Sequence, residues 1–192
     1  MPDLKAIAKG HKADYKKIFE LPYDSFEEII IKGAAVGFAD VPLCEKEPYI
    51  IRYAEMIDNW AECDCFCSCI KVKKSEADDL LRLAEGLMYR KEEFVSRVGT
   101  VLMFSKFSDE PTVRKALTIY DRLPGGEYYR DMAVAWGISV YCVRYPQLIV
   151  KYLEHSPISI AVKLAAAQKI RDSRRISDEV KHRVTDTVNA QR

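Results

Sequence analysis

The sequence lacks an excess of either charge. It contains 30 lysines and arginines against 29 aspartates and glutamates, which gives a formal net charge of +1 at pH 7. A protein that binds a polyanion through its whole surface is usually strongly basic. The composition therefore gives no sign of a polyanionic partner, and any basic surface must be a local patch.

Long apolar runs are also missing. No stretch approaches the roughly 18 consecutive apolar residues that a membrane-spanning helix needs, and the first residues, Met1 to Lys5, lack the apolar core of a signal peptide. We therefore expect a soluble, cytoplasmic protein that does not contact membranes. Its 192 residues, 48% of them hydrophobic, suffice for one domain or a short run of repeats with its own core.

Strict alternation of apolar and polar residues is absent too, whereas apolar residues recur every three or four positions along most of the chain. This periodicity predicts an all-α protein. Candidate caps are Asp24 or Ser25, Asp58 or Asn59, and Ser75 with Asp78 three residues later. The predicted helices are 26–40, 46–57, 59–70, 75–88, 92–107, 111–122, 127–145, 146–154, 158–171 and 177–189. In the first of them we expect an inward face made of Phe26, Ile29, Ile30, Gly33, Ala34 and Gly37.

Short connections between these helices predict antiparallel neighbours. Successive pairs recur at roughly 30 to 40 residues, near the range of helical solenoid repeats. The expected architecture is a curved stack of helix pairs with one concave face, on which an elongated ligand can lie.

Six cysteines are present, and four of them lie in the run from Cys63 to Cys69. Their spacing is not that of small disulfide-rich domains, so we expect reduced thiols. On a helix, residues two apart point about 200° away from each other, so these four thiols cannot converge on one metal ion. We predict small buried residues and no metal site or cofactor. A zinc or redox role of this run is the remaining, weaker alternative.

Two tryptophans and one arginine occupy unusual positions. Trp60 and Asp64 are four residues apart and so share a helix face, while Arg97 and Trp136 each interrupt an apolar helical stretch. Taken alone, Trp60 fits a core residue and Asp64 a solvated one. A buried arginine, however, needs a carboxylate partner because an unpaired buried charge costs several kcal/mol. Asp64 is the natural candidate.

These residues lie in motifs that resemble a known family. The segments I-D-N-W-A-E-C-D (57–64), E-F-V-S-R-V-G (93–99), Y-Y-R-D-M-A-V-A-W (128–136) and K-I-R-D-S-R-R (169–175) resemble the AlkD-type DNA alkylation repair glycosylases. The resemblance extends from about Phe26 to Arg175. It implies a right-handed α-solenoid of HEAT-like antiparallel helix pairs, here one domain over 1–192 without the family's first N-terminal helices.

The resemblance also implies an activity and a partner. The family excises N3- and N7-alkylated purines from duplex DNA by hydrolysing the N-glycosidic bond, without rotating the base out of the stack. Carried to this sequence, the catalytic set is Trp60, Asp64, Trp136 and Arg97. An alkylated purine already carries positive charge and leaves without a general acid, so a fixed carboxylate suffices to stabilise the cation on the sugar. The expected protein is a monomer that acts on double-stranded DNA and needs no cofactor.

Basic residues in the later helices are candidates for phosphate contacts. They are Arg97, Arg130, Arg144, Lys163, Lys169, Arg171, Arg174 and Arg175. Ser139, three residues after Trp136, stands where some family members have an arginine, so one phosphate contact is expected to be missing. The alternative to an enzyme is a non-catalytic module of HEAT-like repeats that binds DNA or protein through its concave face.

Overall fold

The computed structural model describes all 192 residues and contains twelve α-helices and no strands, so the predicted all-α class is confirmed. None of these helices is long and apolar enough to cross a membrane. The helices are α1 (Pro2–Gly10), α2 (Tyr15–Glu20), α3 (Phe26–Phe38), α4 (Leu43–Met56), α5 (Trp60–Cys69), α6 (Ala77–Met88), α7 (Glu93–Lys106), α8 (Glu110–Tyr120), α9 (Tyr128–Cys142), α10 (Pro146–His155), α11 (Ile160–Asp172) and α12 (Asp178–Asn189).

The chain divides into two compact units, Met1–Leu102 and Met103–Arg192. In the first unit α3 packs between α1 and α5, while α4 packs against both α3 and α6. In the second unit α9 packs against α11, and α10 against both α9 and α12. Within each unit, alternate helices therefore lie side by side in two layers, with consecutive helices paired across the layers. The expectation of a single repeat domain stays a prediction.

Two helices begin at a predicted capping residue whose side chain accepts a hydrogen bond from a backbone amide of the first turn. Ser25 accepts a hydrogen bond from the Glu28 backbone and begins α3, and Asn59 does the same for Glu62 at the start of α5. Ser75 does not cap a helix. It lies in a short 3₁₀ turn, Lys74–Glu76, and α6 follows directly, so the predicted capping box at Ser75 is wrong.

Two short helices, α1 and α2, precede the first predicted helix. The amphipathic α1 buries only Ala8, and α2 buries Tyr15 and Phe19. The prediction for Phe26 is wrong as well: it is the first residue of α3, and 41% of its surface is exposed, whereas Ile29 and Ile30 are buried.

Two buried lysines of the first unit donate to carbonyl oxygens at the ends of three helices, α2, α3 and α5. Lys32 donates to the carbonyl oxygens of Ile18, Phe19 and Leu21 around the end of α2. Lys46 donates to Ala39 O at the end of α3 (2.8 Å) and to Lys71 O just after α5 (2.6 Å). Because the last carbonyls of a helix have no partner within it, these ammonium groups satisfy acceptors that would otherwise be buried without a donor.

Helices α6 and α7 approach each other closely at a glycine. A Cβ added to Gly99 would lie 2.5 Å from the backbone nitrogen of Met88 and 2.6 Å from the carbonyl oxygen of Ala84. Real Cβ atoms do not approach backbone atoms so closely, so any larger residue at 99 must push the two helices apart.

We expect Gly99→Ala to lower the free energy of unfolding by about 1–3 kcal/mol, the usual range for overpacking a tight interface. Gly86 of α6 is the matched control, because a Cβ there meets nothing within 4 Å. Gly86→Ala should instead raise stability by up to about 1 kcal/mol, because alanine is the better helix former. Urea unfolding followed by circular dichroism measures both; equal effects of the two changes would refute the close approach.

Candidate functional site

The candidate site in the first unit begins with the geometry of α5. Asn59 caps the helix, Trp60 is its first residue, and Asp64 follows one turn later on the same face. Trp60 is 59% exposed and therefore is not a core residue. Cys63, Phe66 and Cys67 of the same helix are buried.

Helices α5 and α7 lie side by side because the side chains between them are small. The Cys67 thiol lies 3.8 Å from the carbonyl oxygen of Val98 on α7. Cys63, Cys65, Cys67 and Cys69 are all buried, as predicted. The cysteine run thus provides small side chains where α5 packs, and Phe66 fills the remaining space against the ring of Tyr53 with ring centroids 4.3 Å apart.

Asp64 and Arg97 form an ion pair between α5 and α7, which confirms the predicted pairing. The Nη2 nitrogen of Arg97 lies 2.9 Å from Oδ1 and 3.1 Å from Oδ2 of Asp64. The Arg97 side chain is 6% exposed and that of Asp64 is 23% exposed. The arginine is therefore the buried partner, and the carboxylate stays accessible at the surface.

Trp136 lies in the second unit on α9. Its ring meets Phe104 edge-on, with centroids 4.8 Å apart. The neighbouring Gly137 has no room for a side chain, because a Cβ would lie 2.5 Å from the hydroxyl oxygen of Tyr120. Tyr129 and Met132, seven and four residues before Trp136, share its partly exposed face. Sequence reasoning misses these two residues, although their helical spacing could indicate them.

The predicted phosphate contacts differ in accessibility. Arg130 is 2% exposed and Lys163 is 5% exposed, with the Lys163 ammonium donating to Gln191 at 2.6 Å. Ser139 is buried and donates to the Trp136 carbonyl. Of the other predicted contacts in the second unit, Lys169 is half-buried, and Arg144, Arg171, Arg174 and Arg175 are exposed. Arg171 and Lys169 also lie in the last turn of α11, where positive charge favours the helix dipole.

Comparison with known protein families, with curated proteins and with solved structures finds no match. The interpretation of the site therefore depends on its own residues. They place a half-buried, ion-paired carboxylate one helical turn from an exposed indole, an arrangement that can receive a ligand bearing positive charge.

The ion pair should matter for stability as well. Asp64→Asn removes the charge that compensates a buried guanidinium, and we expect it to lower the free energy of unfolding by about 1–3 kcal/mol. The destabilisation should persist in 1 M salt, because a buried pair is screened little.

Asp79→Asn provides the matched control in the same unit. Asp79 pairs with Arg82 on the surface, where the two side chains are 52% and 74% exposed. Surface pairs contribute little to stability, so this variant should unfold close to the unchanged protein. If Asp64→Asn costs no more than Asp79→Asn, the pair with Arg97 does not hold the two helices.

Proposed function

We propose that this protein is a DNA glycosylase that releases N3- and N7-alkylated purines from duplex DNA. The observation that carries the proposal is the Asp64–Arg97 ion pair, with its accessible carboxylate one turn from the exposed ring of Trp60. The resemblance to AlkD-type glycosylases supplies the reaction, and the residue types suit it. Family membership and a HEAT-like solenoid are parts of this proposal.

The layering of the helices supports a solenoid. In each unit the alternate helices pack side by side, as α3 with α5 and α9 with α11 do. Stacks of helix hairpins in which each pair touches its neighbours have this pattern. A solenoid would offer an extended concave surface for a duplex, and the exposed arginines at 171, 174 and 175 would bind its phosphates.

In the proposed reaction the C1′–N bond of the damaged nucleotide breaks, and its electron pair goes to the purine, which leaves as a neutral base. The positive charge that develops on the sugar is stabilised by the Asp64 carboxylate. Water then adds to C1′ and releases a proton to solvent, which leaves an abasic site. Arg97 holds the carboxylate in one orientation through its two contacts with Oδ1 and Oδ2.

Arg97 has a second effect in this scheme. Paired with Asp64, it also reduces the negative field that the carboxylate exerts on the sugar. The Arg97 side chain is 6% exposed, so a backbone phosphate would reach only its edge, where it would offset part of the guanidinium charge and so strengthen that field. The carboxylate would then act fully only when DNA is bound, and the base could stay stacked because the protein would touch only the sugar and the backbone.

Asp64→Asn should slow the release of 7-methylguanine from alkylated duplex DNA by about 100-fold or more, the effect of removing a preorganised electrostatic group. Release is followed by chromatography of the freed base, with DNA alone as the blank. Asp79→Asn, the same change in a surface pair, should retain full activity. Equal release by the two variants would refute the role of Asp64, whereas salt-sensitive DNA binding with no release by the unchanged protein would favour the non-catalytic binding module.

Replacing Arg171, Arg174 and Arg175 by glutamine should weaken binding to undamaged duplex DNA and make it less dependent on salt. The slope of log K against log salt should fall by up to about 0.9 for each phosphate that the protein no longer neutralises. The control replaces three other arginines, Arg52, Arg82 and Arg114, which already pair with Glu20, Asp79 and Glu110. If both triple variants change the slope equally, the effect is one of net charge and the predicted DNA-binding surface is wrong.

A further inference from the structure

A cavity lies in the first unit where the loop before α3 meets the loop before α5. Its volume is about 340 Å³. The side chains that line it and matter here are Tyr23, Asp24, Phe26, Met56, Asp58 and Glu62. Two aromatic rings, a thioether and three carboxylates therefore surround one small space.

Glu62 is the unusual member of this set. It is 5% exposed, and its carboxylate takes part in none of the ion pairs of the first unit. The hydrogen bond that its Oε2 accepts from the Asp58 backbone nitrogen is long, at 3.4 Å. Burial raises the pKa of this carboxyl above its usual value, and it outweighs the opposing effect of hydrogen bonds from Asn59 and Asp58. A buried carboxylate with so little compensation is costly unless a cation can approach it.

Helix capping does not explain the burial of Glu62. Glu28 occupies the same position in α3, three residues after the cap, and there the carboxylate lies on the surface. It accepts two good hydrogen bonds, from the backbone nitrogens of Asp24 at 2.7 Å and Ser25 at 3.2 Å. The exposed glutamate therefore makes the shorter capping hydrogen bonds. Capping does not explain why Glu62 is buried beside the cavity.

Packing in the core does not explain the two aromatic side chains that line the cavity either. Tyr23 is 42% exposed and Phe26 is 41% exposed. The Lys32 ammonium, which donates to backbone carbonyls at the end of α2, lies 5.5 Å from the ring centroid of Tyr23, within the range of a cation–π contact. Exposed rings beside carboxylates are the usual surroundings of a bound organic cation.

The charge at the cavity is negative even after the nearby positive groups are counted. Lys32 contributes one positive charge, and the N-termini of α3 and α5 contribute roughly half a charge each. Against them stand the three carboxylates that line the cavity, Asp24, Asp58 and Glu62. A cation is therefore favoured over an anion in this space.

We propose that this cavity binds a small organic ammonium ion with alkyl groups on its nitrogen. Alkyl groups weaken the hydration of the nitrogen and let it approach the rings of Tyr23 and Phe26, while Glu62 supplies the counter-charge. A hard metal ion is not suited, because it requires a shell of oxygen ligands, and no group of three acidic, cysteine or histidine side chains in the protein could hold one. The proposal depends on the cavity alone and not on the glycosylase function.

Choline and its neutral isostere, 3,3-dimethylbutan-1-ol, test the proposal at constant ionic strength. Binding is followed by the methyl resonance of Met56 in the full-length protein. Choline should shift this resonance with saturation, and the isostere should bind about tenfold or more weakly, since it lacks the charge. Glu62→Gln should weaken choline binding about fivefold or more, while Glu28→Gln, which changes the matching cap position outside the cavity, should leave it unchanged.

Phe26→Leu provides a second variant in case Glu62→Gln disturbs the fold. It keeps an apolar side chain at an exposed position but removes the ring, so it should weaken choline without weakening the isostere. Equal binding of choline and isostere would mean an apolar crevice and would overturn the proposal. So would choline binding that survives both Glu62→Gln and Phe26→Leu.

Discussion

The candidate site depends on one requirement, that the buried guanidinium of Arg97 be next to a carboxylate. Arg97 lies on α7 and its partner Asp64 on α5, so the two helices must pack side by side with the right register. Small side chains make this possible: Cys67 lets α7 approach α5, and Gly99 lets it approach α6. The position of the accessible carboxylate is thus a result of the packing of three helices, and any change that separates them also displaces Asp64.

Charged side chains form hydrogen bonds with backbone atoms at several helix ends of the first unit. Lys46 connects the end of α3 to Lys71, two residues after α5, and Glu76 accepts from the Leu43 backbone at the start of α4. These groups satisfy backbone atoms that helices leave without partners. A near-neutral chain can therefore be rich in charge without having a polyanionic partner, because part of that charge stabilises the fold. The charges relevant to a ligand are those that do not form such bonds with the backbone.

The sequence predicted the parts of this structure that follow from local rules. Ser25 and Asn59 mark helix starts because they satisfy free backbone amides, and the Asp64–Arg97 pair follows from the cost of an uncompensated charge. The errors have a common cause. Phe26 has the apolar character of a core residue. Its position in the first turn of α3 nevertheless places it at the edge of the helix layer, where it is exposed. Ser75 has the right spacing for a cap but lies in a 3₁₀ turn. Burial at the ends of helices depends on the neighbouring loops, which local patterns do not describe.

Glu62 and Asp64 show, within the single helix α5, that local sequence patterns do not predict the surroundings of a side chain. Both are carboxylates, two residues apart, and so point about 200° away from each other. Asp64 pairs with a buried arginine, whereas Glu62 lines a cavity together with two aromatic side chains. This differs from Glu28, although the spacing of Glu62 from Asn59 matches that of Glu28 from Ser25. One helix thus separates two electrostatic environments. A cation bound beside Glu62 would therefore not compete for the carboxylate that compensates Arg97.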